Sequence, residues 1–320
     1  MNVAPCSNVS RMSWLLPLLA VVGVAAMAVG GSGLASGLGT TIYQKNSLYH
    51  RIFVSRSGSI VSLQFGSRAP DLIQSQVDVS NLRRQLHEYT VMTFAGLLYV
   101  PEPRRLLVMG LGGGVIPREM GHYYPEMEID IAEIDPEVPH VAERFFGFHP
   151  TEKMRIHVVD GRVFIRRTRR QDPERKYDLI VLDAFNSDYI PFHLTTREFL
   201  EEVKAVLTDS GVVVANVFYT NRLFDAELAT FLDVFPWCQV YFGRRSGNAI
   251  LVAPASDKVS ELTVEEAVER AEARQREREF TFDFARLVPP RLRPGTRPGA
   301  RARVLTDDRA PVNVLRSQER

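Results

Sequence analysis

The chain has 320 residues, 45% of them hydrophobic and 24% charged, with a formal net charge of +1. That composition suits one sizeable globular domain with an accessory piece and excludes a disordered, collagenous or disulfide-stapled chain. Near-neutral charge gives no global attraction for nucleic acid, and the two cysteines, Cys6 and Cys238, form neither a disulfide framework nor a metal-ligand spacing.

Residues 1–44 stand apart as a targeting segment. No charged side chain occurs from Met12 to Gln44, and "WLLPLLAVVGVAAMAVGG" (14–31) approaches the roughly 20 apolar residues that a bilayer core requires. A membrane anchor is the expectation. Its alternative is a cleaved secretory signal, with small residues near Ala35 and Ser36 for a peptidase, which would leave the protein secreted. Arg11 precedes the span whereas Lys45, Arg51, Arg56 and Arg68 follow it, so an anchored chain should keep its catalytic domain on the cytoplasmic side.

Residues 45–100 read as a small β region and a connecting helix, with "HRIFVSRSGSIVSLQFG" (50–66) patterned as a β-hairpin about a Ser-Gly turn. Between 101 and 256, the apolar runs at 104–109, 127–132, 155–159, 177–182 and 211–218 alternate with segments long enough for helices. This βα repeat predicts an α/β fold, a Rossmann-type doubly wound and mostly parallel sheet. "WCQVYFG" (237–243) and "NAILVAP" (248–254) add an antiparallel hairpin. Residues 257–320 hold an amphipathic helix (260–279), a Pro/Arg/Gly linker (289–303) and a tail.

Ligands of such sheets sit over the carboxyl ends of the strands. After the first strand, "GLGGGVIPRE" places Gly110, Gly112 and Gly114 in a GxGxG spacing, which lets backbone approach a ligand and opens a helix. Val115 stands where a dinucleotide fingerprint needs glycine. The second strand ends in Glu133 and Asp135, suited to a ribose diol, the third in Asp160 and Gly161, and the fourth in Asp183. Each acid alone could be a helix N-cap. Four successive strands ending in glycine or acid point to a nucleoside ligand without a pyrophosphate, an adenosyl sulfonium. The loop that follows, "DAFNSDYIPFHLTTREF", crowds Asn186, Asp188 and Tyr189 behind Asp183, with Phe185 and Phe192 expected to help bury it. The seven histidines show no ligand spacing, so no metal is expected.

Together, "PEPRRLLVMGLGGGVIPREM", "IDIAEIDPEV", "HVVDGRVFI" and "YDLIVLDAFNSDYIP" resemble the polyamine aminopropyltransferases (spermidine synthases), most closely their membrane-associated bacterial relatives. "VLTDDRAPVNVL" (304–315) is similar to a short C-terminal motif of the same group. The resemblance implies a methyltransferase-like sheet, decarboxylated S-adenosylmethionine as co-substrate with no prosthetic group, a diamine acceptor such as putrescine, and a homodimer. It further implies that Glu133 binds ribose, Asp160 reads adenine, Asp183 deprotonates the attacking amine and Tyr89 orients it. Asp188 would then hold the distal ammonium.

Three positions depart from the family pattern. Gly113 replaces an aspartate that pairs with the donor's amino group, Asn186 replaces a second loop aspartate, and the glutamate after the loop tyrosine is missing, with Glu88 before Tyr89 as a substitute. An S-adenosylmethionine-dependent methyltransferase and a non-catalytic adenosyl-ligand-binding protein therefore remain alternatives.

Overall fold

The computed structural model describes residues 39–69, 73–184 and 190–317. Strands β1 (Thr40–Asn46), β2 (Arg51–Ser57), β3 (Ile60–Phe65) and β4 (Ile73–Asp78) form a four-stranded sheet with antiparallel neighbours throughout. The hairpin expected at 50–66 is β2–β3. Gly58, at φ 61°, supplies the left-handed residue its tight turn requires.

A short helix, α1 (Glu88–Met92), leads into a 3-10 segment and then β5 (Arg105–Met109). The repeat continues as α2 (Val115–Tyr123), β6 (Glu128–Glu133), α3 (Glu137–Phe145), β7 (Met154–Val158), α4 (Gly161–Gln171) and β8 (Tyr177–Leu182). It closes with α5 (Arg197–Lys204), β9 (Leu207–Phe218), α6 (Leu223–Val234) and the hairpin β10 (Gln239–Phe242) and β11 (Asn248–Pro254). The second sheet runs β7-β6-β5-β8-β9-β11-β10 and ends on β12 (Leu292–Arg293); β5 to β9 are parallel, and the last three pair antiparallel. The chain reverses direction of growth between β5 and β8. That switch point is where a cleft opens in doubly wound sheets.

Alternation along the central strands divides the core. Leu106, Val108, Leu179, Val181, Val212 and Val214 join one buried cluster, while Leu107, Met109, Ile180, Leu182, Val213 and Ala215 join the other. Both faces are therefore apolar, as parallel strands covered by helices on each side must be. Each of the larger side chains contributes roughly 1.5–3 kcal/mol by leaving water. Helices α2 and α3 cover the first face; α4, α5 and α6 cover the second.

Helix α7 (Val264–Arg278) starts at a capping box in which the Thr263 hydroxyl accepts from the Glu266 N–H and the Glu266 carboxylate accepts from the Thr263 N–H. The stretch expected as a linker is partly built into the fold. After α8 (Phe284–Leu287), β12 pairs with β10 and the guanidinium of Arg291 is buried against Glu88. Helix α9 (Val312–Arg316) follows in the tail.

The expectation of membrane anchorage with a cytoplasmic catalytic domain is corrected. Among the described residues, no helix is long and apolar enough to cross a membrane, and the segment 14–31 lies outside the described residues.

Candidate active site

The ends of β5, β6, β8 and β9 converge, with β4, α1 and the β10–β11 loop, on a cavity of about 600 Å³. Its floor is the glycine turn. Gly110 has φ 89°, and a Cβ there would stand 2.4 Å from the carbonyl oxygen of Asp183, so only glycine lets β5 leave the sheet beside β8. Gly110 and Gly112 (φ 53°) line the cavity. Gly114 does not: at φ 71° it is the entry residue of α2, and a Cβ there would lie 2.4 Å from the ring of Phe148.

Glu133 ends β6 facing the cavity. Its carboxylate accepts from the N–H groups of Leu111 (2.9 Å) and Asp135 (2.9 Å). Burial nevertheless dominates these bonds and pushes its pKa up to about 7. Asp135, expected beside it as a ligand contact, is fully buried and absent from the cavity wall. Its carboxylate accepts from Ser47, lies 2.9 Å from His50 Nδ1 and accepts from the Glu137 N–H, so it fastens the β1–β2 turn to the end of β6. Asp160 lines the cavity with Gly161 and caps α4, accepting from the Val163 N–H at 3.0 Å, while its other oxygen lies 2.8 Å from His193 Nε2. Burial raises its proton affinity, but the bonds from His193 and the first turn of α4 outweigh it and hold the carboxyl below the ordinary aspartate range.

Asp183 follows β8 directly and opens into the same cavity. The Asn216 amide donates to its Oδ1 at 2.8 Å, and the Asn248 amide donates to Asn216 Oδ1 at 2.9 Å. Burial, only partly offset by Asn216, lifts the Asp183 pKa to about 7. It does not cap α5; that role belongs to Thr196, whose hydroxyl accepts from the Phe199 N–H. Phe192, expected to help bury it, is 54% exposed.

Tyr89 lines the cavity and donates to the Gln74 carbonyl at 2.8 Å; burial, and then the charge of Asp183, keeps its hydroxyl protonated. Glu88 is turned elsewhere. One oxygen accepts from the N–H groups of Arg244 (2.9 Å), Arg245 (2.8 Å) and Ser246 (3.3 Å), and the other accepts from Arg291, so Glu88 holds the β10–β11 loop instead of an amine. Asn186, Asp188 and Tyr189, with Phe185, lie outside the described residues.

Several lining residues were not anticipated. Asn216 could have been flagged as an amide inside the apolar run "GVVVANVF"; His50, His87 and His193 lacked any spacing that would mark them. The buried Nε2 of His87 has no hydrogen-bond partner among the described residues, and burial pulls its pKa down to about 4, which leaves a neutral imidazole at the wall. Gly113 also has a packing reason. A Cβ there would stand 2.5 Å from Ser75 Oγ and 2.8 Å from the Phe146 ring, so a side chain at 113 requires both neighbours to shift.

Strand order, switch point and strand-end acids define a methyltransferase-like α/β fold with a nucleoside-sized site. Comparison with known proteins agrees. The spermine/spermidine synthase domain family matches residues 86–243. A polyamine aminopropyltransferase of Vibrio vulnificus is 37% identical over 288 residues, which is 89% of this chain and 94% of that protein. Human methyltransferase-like protein 13, solved in complex with SAH, superposes with a TM-score of 0.52 at 31% identity over 60% of this chain and 89% of its own. A spermidine synthase solved with the transition-state analogue AdoDATO superposes at 0.55 with 18% identity, covering 75% of this chain and 87% of that one, a likeness of fold. The chain belongs to the polyamine aminopropyltransferase (spermidine synthase) family of transferases.

Proposed function

We propose that this protein transfers the aminopropyl group of decarboxylated S-adenosylmethionine to a diamine such as putrescine, with Asp183 as general base. The observation that carries this reading is the placement of Asp183, desolvated to a pKa of about 7 and oriented by Asn216, in one cavity with Glu133 and Asp160. Glu133 has oxygen lone pairs left for the ribose hydroxyls, and Asp160 for the adenine amino group. The diamine is protonated near neutral pH, so its attacking nitrogen has no lone pair until a base takes a proton. Asp183 Oδ2 takes that proton. The nitrogen then attacks the aminopropyl carbon bonded to sulfur, the carbon–sulfur bond breaks, and its electron pair stays on the sulfur of methylthioadenosine. Holding the amine in line with that bond supplies about 7–11 kcal/mol of barrier reduction.

Tyr89 positions the amine, and Asp188, with Asn186 and Tyr189, is assigned to binding the distal ammonium. The neutral imidazole of His87 adds an acceptor without adding a repelling charge. A homodimer is part of the proposal; the exposed apolar side chains Ile42, Leu48 and Tyr49 on and after β1 support it, and sedimentation at micromolar concentration tests it.

Methyl transfer from intact S-adenosylmethionine is the second reading, supported by the absence of an acid at position 113 and the space there already filled by Ser75 and Phe146. Purified protein given each sulfonium donor with a panel of amines decides between them by mass spectrometry. Methylthioadenosine is expected. S-Adenosylhomocysteine in its place would establish the second reading, and neither product would leave a ligand-binding protein.

A further inference from the structure

The C-terminal segment after residue 303 reaches the adenosyl end of the cavity without lining it. Arg162, the second residue of α4, is buried, and its guanidinium donates to both oxygens of Asp307, Nη1 to Oδ1 at 2.7 Å and Nη2 to Oδ2 at 2.8 Å. It also donates to Glu202, through Nε at 3.2 Å and Nη2 at 2.9 Å, and through Nη1 to the carbonyl of His193 at 3.2 Å. The His193 ring lies 2.8 Å from Asp160 Oδ2, and the main-chain N–H groups of Arg162 and Val163 act on the same carboxylate. Asp160, His193 and Arg162 thus close a ring. Asp307 grips that ring from outside.

We propose that Asp307 is a positioning residue for donor recognition: by fixing the fork of Arg162 it fixes both the first turn of α4 and His193, and so aims the Asp160 carboxylate at the amino group of adenine. The inference rests on the assignment of Asp160 to adenine made above. A guanidinium is a rigid planar fork, so a bidentate partner sets its tilt as well as its position. The Arg162 side chain reaches the His193 carbonyl while its own main chain meets Asp160. Asp307 is itself held from several directions. It accepts from the Thr196 hydroxyl at 2.7 Å, its N–H donates to Glu198 Oε2 at 2.9 Å, and the nearby Leu305 carbonyl accepts from the Arg197 N–H at 2.8 Å. The segment is thereby stitched to the start of α5, the helix that follows the loop behind Asp183.

The readout that separates aiming from mere stapling is discrimination at the purine C6 position. Adenine offers an N–H₂ donor there, whereas hypoxanthine offers a carbonyl that a carboxylate repels. Calorimetric titration of the full chain with methylthioadenosine and methylthioinosine should give a wild-type preference for adenine of roughly tenfold or more, the worth of a charge-assisted hydrogen bond. Asp307→Asn should weaken methylthioadenosine by most of that factor and leave methylthioinosine unchanged, and Asp307→Glu should restore part of the ratio. Arg162→Lys, which keeps the charge and loses the fork, should reproduce the Asn variant and serves if that variant does not fold. A preference that survives both substitutions overturns the inference, as does equal loss of both ligands with a lower melting temperature. If the wild-type protein binds the two nucleosides equally, the assignment of Asp160 fails and the inference falls with it.

Discussion

On one side of the cavity Glu133 is held by main-chain donors, the N–H groups of Leu111 and Asp135, and Asp160 by the first turn of α4 together with the His193 ring. On the other side, the Asp183 carboxylate is held, among the described residues, by a side-chain relay, the Asn216 amide backed by the Asn248 amide. Main-chain donors come with the fold whatever the neighbouring residues are, whereas an amide relay exists only while both asparagines do. This chain is similar both to a polyamine aminopropyltransferase and to a methyltransferase-like protein.

The largest effect is expected of Asp183→Asn. The amide is nearly isosteric and the adenosyl contacts lie on other strands, so methylthioadenosine affinity by calorimetry should stay unchanged while turnover falls by roughly 10²–10⁴. Next in size, Glu133→Ala should weaken methylthioadenosine about tenfold to a hundredfold, from about 1.5–3 kcal/mol per hydrogen bond to a charged group, with the fold intact by circular dichroism. Unchanged affinity would remove Glu133 from the site.

Asn216→Ala tests the side-chain relay itself. Turnover should drop about tenfold with little change in donor affinity, in line with one lost hydrogen bond. Its pH profile should move too. Wild-type turnover should rise with pH through the Asp183 value of about 7, because the base must be unprotonated, and removing a donor to the carboxylate should move that midpoint upward.

The smallest expected effect is on stability. The folded protein keeps the Asp183 proton up to about 7, whereas the unfolded chain releases it near 3.8. Between those values the folded state binds more protons, so stability falls as pH rises. Asp183→Asn removes that loss and should melt a few °C above wild type at pH 8, the shift expected of a few kcal/mol in a chain of this size.

Much of this arrangement was legible in the sequence because strand periodicity and strand-end acids are local signals. The parallel strands fall within a few residues of their expected bounds, apart from the longer start of β9, and Glu133, Asp160 and Asp183 meet in one cavity. Long-range partners were not legible. Nothing near Asp135 in sequence announces Ser47 and His50, and nothing near Glu88 announces Arg291, 203 positions away. Both acids were expected to touch ligand, and both instead tie distant segments together. Residues 289–303 misled for a related reason: proline, arginine and glycine look like linker composition, yet β12 and Arg291 are set by pairing with β10 and Glu88.

The crowding around Gly113 constrains the order in which substitutions can accumulate. With Ser75 Oγ 2.5 Å and the Phe146 ring 2.8 Å from where a Cβ would be, an aspartate introduced at 113 must push both side chains aside. Smaller side chains at 75 and 146 would ease that crowding. For a lineage or an engineer adding an acid at 113, packing changes at those two neighbours therefore make the step easier. Which side chain stands at 113 is thus set in part by a serine and a phenylalanine packed against it.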